Sequence, residues 1–293
     1  MKQRRAKLDP QNSMFRQGRA GVLSRLLRFL VRSSAIITIV IILFLVAYIL
    51  VKGIPNLSAD LFSPHYSSEN VSLLPAMINT IIITAAALLA AVPVGICSAI
   101  WLSEYSRRGS KLIILVRLAA ETLAGIPSII YGLFGMLLFV IFLGWGYSLL
   151  AGACTLAIMV LPVIMRTTEN ALLSVPDSFR EGSFALGAGK LRTIFSIVLP
   201  AAMPGILSGI ILSIGRIVGE TAALIFTAGT VAKMPDSPFS SVRTLAVHMY
   251  SLSSEGLHIR QSYAAAVVLL VVVAGINALA GMAAKKIGSN VNG

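Results

Sequence analysis

The sequence predicts an all-α membrane protein with six transmembrane helices. The chain has 293 residues, of which 57% are hydrophobic and only 12% are charged, whereas an average soluble domain carries about 25% charged residues. Its apolar runs are long enough to cross a bilayer as helices. Most Lys and Arg residues lie just outside these runs, which is typical of the loops of a membrane protein.

We predict the spans in chain order, at residues 35–51, 77–102, within 112–143, 149–165, within 194–226, and 263–284. The third run is too long for one straight span, because about 32 residues rising 1.5 Å each exceed a core of about 30 Å. Pro127 lies in its middle, and proline breaks the helical hydrogen-bond ladder. We therefore expect an interfacial helix up to Ala124, a break at residues 125–127 and the span beyond it.

The basic residues also predict the orientation. Segments assigned to the inside hold 18 of the 24 Lys and Arg residues, and segments assigned to the outside hold four, which are Lys52, Lys233, Arg243 and Arg260. Positively charged loops stay in the cytoplasm. We therefore expect a multi-pass membrane protein with both termini in the cytoplasm.

Several function classes are excluded by what the sequence lacks. The net charge of +13 does not indicate nucleic-acid binding, because no basic stripe with interleaved aromatic residues is present. His65, His248 and His258 are scattered through loops, where we expect them to be solvated rather than metal ligands. G-A-G-K-L at residues 187–191 lacks the spacing of a P-loop, and no catalytic cluster is present. We therefore expect no enzyme, no metal and no cofactor in this chain.

A polar insert at residues 166–193 interrupts the apolar sequence. Ser174 and Asp177 fit the capping box of a helix start, and Gly187 fits a left-handed C-terminal cap. A second helix begins near Lys190, with an amphipathic face formed by Leu191, Ile194, Phe195, Val198 and Leu199. The pattern predicts two helices joined by a turn at the membrane surface, and an ordinary long loop is the alternative.

Within this insert, Glu181, Gly187, Ile197, Leu199 and Pro200 have the spacing E-x5-G-x9-I-x-L-P. This spacing resembles the EAA motif of the permease subunits of bacterial ABC importers, although E-G-S replaces the usual E-A-A. The resemblance implies a MetI-like permease fold in which the insert is a cytoplasmic coupling helix that docks on an ATPase subunit. The implied docking residues are Arg180, Glu181, Phe184, Ala185, Leu186 and Gly187, and Ile197, Leu199 and Pro200 are implied to be structural.

Longer stretches are similar to the PstA type of phosphate importer permease, over residues 73–284. They are R-T-T-E from Arg166, V-P-D-S-F-R-E-G-S-F-A-L-G-A from Val175, G-I-P-S-I-I-Y-G-L-F-G from Gly125 and G-R-I-V-G-E-T-A-A-L from Gly215. The resemblance implies a second permease of the PstC type, an ATP-binding dimer of the PstB type that holds ATP and Mg, and an extracytoplasmic phosphate-binding protein of the PstS type.

We accordingly divide the chain into a basic cytoplasmic N-terminus at 1–33, a first transmembrane helix and outer loop at 34–72, an ABC transmembrane type-1 permease domain at 73–284, and a cytoplasmic tail at 285–293. The rival functions are an ABC permease for sulfate or molybdate and an ion-coupled secondary carrier. An ATPase that co-purifies through residues 181–189 would support the importer. Transport by the chain alone would support the carrier.

Arg216 and Glu220 are the candidate substrate-pathway residues. They stand four residues apart in an apolar run, so on one helix they would share a face. A charge in the middle of the membrane costs at least about 2.5–3.5 kcal/mol on insertion scales. Either the two form an ion pair that only fixes helix packing, or they line the pore as an anion site. In the second case the guanidinium binds phosphate through two parallel hydrogen bonds. Glu220 holds Arg216 in place and accepts a hydrogen bond from a protonated phosphate oxygen.

Two further patterns have simpler interpretations. Arg117 and Glu121 repeat the R-x3-E-T spacing near the cytoplasmic surface, and we interpret the repeat as chance, with Arg117 reaching toward the interface. The pairs Gly205/Gly209 and Gly215/Gly219 have G-x-x-x-G spacing, which predicts close helix packing.

Overall fold

A computed structural model describes residues 10–106 and 110–291, and side chains are described for residues 24–106, 110–282 and 284. No β-strand occurs within those ranges, as predicted for an all-α protein. The basic residues Lys2, Arg4, Arg5 and Lys7 of the predicted cytoplasmic N-terminus, and Arg107 and Arg108 of the first inner loop, lie outside the described residues.

The helices are α1 (Pro10–Gly53), α2 (Leu74–Ile100), α3 (Lys111–Ala124), α4 (Ser128–Gly135), α5 (Leu149–Leu173), α6 (Asp177–Ala185), α7 (Lys190–Thr193), α8 (Leu199–Val218), α9 (Ala222–Ile225), α10 (Leu245–Glu255) and α11 (Ile259–Val291). Wider π-helical turns continue α2 through Trp101–Tyr105 and α4 through Met136–Phe142, and a third, Ile194–Val198, joins α7 to α8.

The chain divides into two compact units, Met1–Val51 and Lys52–Gly293. The described part of the first unit is one continuous helix, and no proline interrupts the sequence between Pro10 and Pro55. This helix contains the predicted first span at residues 35–51.

Within the described residues, five helical segments are long and apolar enough to cross a membrane, namely Ser24–Asn56, Leu74–Tyr105, Leu149–Leu173, Lys190–Val218 and Ile259–Met282. The pair Lys111–Ala124 and Ser128–Phe142 adds a sixth if it is counted as one broken span. Its two parts meet at 102°, and Pro127 is the residue that precedes α4. The predicted break at residues 125–127 is confirmed.

The core of the second unit forms where α2, α5 and α8 pack together. Small residues allow this approach, because a Cβ at Gly209 would lie 2.0 Å from Thr167 Oγ1 and one at Gly205 would lie 2.6 Å from the Ala171 Cβ. Close packing was correctly predicted for this glycine pair. A Cβ at Gly215 would meet its nearest atom at 3.8 Å, so tight packing at the second pair was wrongly predicted.

The predicted outer loop at residues 227–261 contains the helix α10, which the sequence analysis missed. It packs against α2 and α11, and Asn79 of α2 donates to the carbonyls of Lys233 and Arg243 at 2.9 and 3.2 Å. His248 lies in α10 and is fully buried, so its predicted solvation is wrong.

Candidate coupling segment and substrate site

The predicted pair of surface helices is present as α6 and α7. Gly187 follows α6 with φ +82°, the left-handed conformation that glycine adopts without a Cβ penalty. Ser183 Oγ and Thr193 Oγ1 are 2.8 Å apart and buried, so a hydrogen bond joins α6 to α7. Ser183 thus has a structural role at a position where the sequence departs from the E-A-A pattern.

The start of α6 differs from the prediction. Ser174 does not cap α6, because its hydroxyl donates to the Ala171 carbonyl at 2.7 Å and completes the end of α5. Pro176 precedes α6 and makes no side-chain cap. Proline fixes φ near the helical value, so the helix can begin without the predicted capping box.

The implied docking residues of this segment present an exposed surface. Glu181, Phe184, Ala185 and Leu186 are exposed, with Leu186 at 91%. Glu181 makes no ion pair with any described residue. Ile197, Leu199 and Pro200 are half-buried where α8 begins. An apolar surface of this kind on a short helix suits a complementary groove on another protein.

Arg180 is positioned differently from the other implied docking residues. It forms an ion pair with Glu104 at 2.7 Å, and the two side chains are 14% and 9% exposed. Its Nη1 and Nη2 atoms also donate to the carbonyls of Val175 and Leu172 at 2.8 and 2.9 Å. In this structure Arg180 therefore ties α6 to the end of α5 and to the last turn of α2.

Tyr105, the residue after Glu104, contacts the second surface helix, α7. The Lys190 ammonium lies 4.7 Å from the centre of the Tyr105 ring, within the range of a cation–π interaction. The π-helical turn Trp101–Tyr105 thus contacts α6 through Glu104 and α7 through Tyr105.

Two ion pairs join α3 to α5 near a small cavity. Arg117 contacts Glu169 at 2.6 Å, and Arg166 contacts Glu121 at 3.3 Å. The cavity between them has a volume of about 200 Å³. The Arg117 side chain is half exposed and also holds Glu169, a contact that the sequence pattern did not predict. Glu169 was missed, although it ends the R-T-T-E stretch that the resemblance singled out.

Arg216 lies in the last turn of α8 and is half-buried. It makes no ion pair with any described residue. Its charge acts on Tyr131 of α4, whose hydroxyl donates to the Leu123 carbonyl at 2.8 Å. Among the residues that the structure describes, no carboxylate therefore pairs with this guanidinium, which lies inside a membrane-crossing segment.

Glu220 is not on the same helical face as Arg216, because α8 ends at Val218. Its Oε1 accepts a hydrogen bond from the Ala223 amide at 3.1 Å and so caps α9. The close approach of α4 fixes this short helix, since a Cβ at Gly132 would lie 2.8 Å from the Ala223 Cα. The predicted ion pair between Arg216 and Glu220 is absent from the described residues.

Comparison with known proteins gives concordant results. Residues 91–289 match the family described as binding-protein-dependent transport system inner membrane component. The phosphate transport system permease protein PstA of Haemophilus influenzae is 41% identical over 202 residues, which cover 66% of this chain and 70% of that protein. The probable ABC transporter permease protein YqgI of Bacillus subtilis is 34% identical over 238 residues, covering 76% and 81% of the two chains.

Solved structures with the same fold include two ABC transporters. A chain of the methionine transporter MetNI in an inward-facing conformation has a TM-score of 0.58 at 20% identity, over 73% of this chain and 94% of that one. A chain of the bacterial alginate transporter, in complex with a periplasmic protein bound to an alginate pentasaccharide, has a TM-score of 0.64 at 17% identity, over 87% and 94%.

The helical bundle and its surface segment define the class as a transport component, the permease subunit of an ABC importer of the MetI type. The chain belongs to the family of binding-protein-dependent transport system inner membrane components. It is a multi-pass inner membrane protein, and its predicted resemblance to PstA-type permeases is confirmed. Proteins of this class work with an ATPase and a binding protein, which argues against the ion-coupled carrier.

Proposed function

We propose that this chain imports inorganic phosphate, forming half of the pathway of an ATP-driven importer. The observation that carries the proposal is the half-buried guanidinium of Arg216, which has no carboxylate partner among the described residues. Arginine keeps its charge in proteins and can donate two parallel hydrogen bonds to a phosphate. The PstA relatives support phosphate as the anion.

Glu220 has a separate part in this proposal. One carboxylate oxygen is held by the Ala223 amide, and the other has no hydrogen-bond partner among the described residues. A carboxylate accepts hydrogen bonds and donates none. Phosphate carries a proton at neutral pH and sulfate does not, so Glu220 would accept a hydrogen bond from phosphate and repel sulfate.

In this proposal, the coupling segment, which consists of α6 and α7, transmits movements of the ATPase to the membrane-spanning helices. An ATP-binding dimer of the PstB type hydrolyses ATP with Mg and receives α6 in a groove through Glu181, Phe184, Ala185, Leu186 and Gly187. Arg180 holds α6 in place from the other side. A PstC-type permease supplies the other half of the pathway, a PstS-type protein delivers phosphate from outside, and both termini lie in the cytoplasm.

The test is uptake of labelled phosphate by the complete complex in proteoliposomes with ATP inside. We expect Arg216→Met to lower uptake at least tenfold, while the exposed Arg260→Met, the matched control, leaves it unchanged. Normal uptake by Arg216→Met in an assembled complex would contradict the role of Arg216. Uptake of labelled sulfate or molybdate, without uptake of labelled phosphate, would support the rival oxyanion instead.

The selectivity role of Glu220 is tested separately. We expect Glu220→Gln to take up phosphate more slowly and to admit sulfate measurably, because an amide can also donate to a fully deprotonated anion. Unchanged phosphate uptake with no gain for sulfate would show that the carboxylate only caps α9.

A further inference from the structure

Arg243 is a buried arginine with an empty hydrogen-bonding edge. It precedes α10 by two positions, and its side chain and backbone together are only 5% exposed. Its Nε and Nη2 atoms are buried and have no hydrogen-bond partner among the described residues. Its guanidinium carbon lies 4.9 Å from the centre of the Tyr66 ring, which covers one face of the group but uses none of its donors.

Two other arginines of this chain show what normally fills that edge. Arg117 directs Nε and Nη2 at one oxygen of Glu169, at 2.8 and 2.6 Å. Arg180 directs the same two atoms at one oxygen of Glu104, at 3.1 and 2.7 Å. The edge binds a negatively charged oxygen in both cases, although Arg117 and Arg180 are partly exposed and Arg243 is more deeply buried.

The surroundings of Arg243 favour an anion. The N-terminus of α10, which carries the positive end of the helix dipole, begins beside it. The hydroxyl of Thr244 is buried and also has no partner among the described residues. Burial and the neighbouring Arg243 lower the pKa of His248 to about 3, against a smaller opposing effect of the Val71 backbone. His248 is therefore neutral at pH 7, and no described carboxylate contacts Arg243.

We propose that the Nε–Nη2 edge of Arg243, together with the Thr244 hydroxyl, is a second binding site for a phosphate-like oxyanion, on the predicted outer side of the membrane. The inference rests on the proposed function, since it places this site before Arg216 on the path of the same anion. Nε and Nη2 are buried in this structure, and Tyr66 covers one face of the guanidinium, so the site is closed here. An anion enters when the segment that carries Tyr66 moves away from α10.

A structural role predicts the opposite response to substitution. If Arg243 only packed against Tyr66, its loss would lower stability. A buried charge without a partner opposes folding, and replacing it by an apolar side chain of similar length is neutral or stabilising. Groups that oppose stability in this way concentrate at functional sites.

The experiment compares Arg243→Met, Arg243→Lys and the exposed control Arg260→Met in the complete reconstituted complex. We expect Arg243→Met to lower phosphate uptake at least tenfold. Arg243→Lys should lower it less, since lysine keeps the charge but lacks the two parallel N–H donors of the guanidinium. Without phosphate, the Tm of Arg243→Met should equal or exceed that of the unmodified complex. The Tm increase that inorganic phosphate gives the unmodified complex should be reduced in this variant and retained in Arg260→Met.

Three results would overturn the proposal. They are normal phosphate uptake by Arg243→Met, a Tm several degrees lower in the absence of phosphate, and loss of a co-purifying subunit, which would mean that a partner's carboxylate fills the edge. If the unmodified complex moves sulfate or molybdate but not phosphate, the proposed function fails. The same uptake comparison made with the transported anion then decides the role of Arg243.

Discussion

The ion pair between Arg180 and Glu104 should contribute more to stability than any exposed pair of the chain. Replacing Arg180 by Met leaves the Glu104 carboxylate, 9% exposed, without its partner and frees two backbone carbonyls. Removing one member of a buried pair costs about 3–5 kcal/mol. Because both side chains keep some contact with solvent, we expect a loss of about 2–4 kcal/mol in the free energy of unfolding.

A double-mutant cycle isolates the pair from the other contacts of Arg180. The variants are Arg180→Met, Glu104→Gln and their combination, measured by equilibrium unfolding in mixed micelles. We expect a coupling energy of about 1.5–3 kcal/mol, the range of a charge-assisted hydrogen bond. The pair Lys233–Asp236 is the control, since it lies at 3.2 Å with side chains 56% and 80% exposed, and it should give less than about 1 kcal/mol.

Equal coupling energies for the two pairs would refute this reasoning, because burial would then not distinguish them.

The same ion pair can also be tested by measuring transport and ATP hydrolysis. Glu104→Gln keeps the bulk of the side chain, so the helix α6 should remain folded but less firmly held. In the proposed importer, we expect ATP hydrolysis by the ATPase to continue while the number of anions moved per ATP falls.

Three further predictions concern other parts of the chain. The pKa of His248 is lowered in the folded protein, so the unfolded chain binds a proton more readily. The contribution of His248 to the free energy of unfolding is therefore present above about pH 6.5 and is lost as the pH falls, by about 2 kcal/mol between pH 7 and 5. The Tm difference between these pH values should shrink in His248→Gln and persist in His65→Gln. Gly209→Ala should destabilise by about 1–3 kcal/mol through overpacking. Gly215→Ala should stabilise by up to about 1 kcal/mol, because its Cβ would meet the nearest atom at 3.8 Å, an ordinary contact. Thermal unfolding of both variants measures the difference, and equal effects would contradict the prediction. Leu186→Glu should leave the Tm unchanged but abolish capture of the ATPase subunit, and undiminished capture would place the docking surface elsewhere.

Features that depend on local sequence were predictable. Apolar runs predicted the membrane spans, Pro127 predicted the break between α3 and α4, and Gly187 predicted the end of α6. Each of these follows from the chemistry of one residue or from a run of neighbours. The motif spacing at residues 181–200 also lies within one short stretch, and it led to the family.

Contacts between distant residues were not predictable in the same way. Glu169 lies 52 positions from Arg117, and Glu104 lies 76 positions from Arg180, so spacing carries no sign of either pair. The helical face assumed for Glu220 failed because α8 ends two residues earlier. Arg243 lies in a predicted loop, and nothing in its local sequence indicates that its side chain is buried beside Tyr66.

The π-helical turn at the end of α2 has a mechanical consequence. Its adjacent residues Glu104 and Tyr105 hold the two arms of the coupling segment separately. A single contact would allow α6 and α7 to rotate about the end of α2, whereas two contacts fix both their position and their orientation. We expect a displacement of α6 and α7 to be transmitted to this end of α2, and through Arg180 to the end of α5 as well. Asn79 and Thr80 bond to the residues around α10 at the opposite end of α2, so this helix connects the two surfaces of the protein.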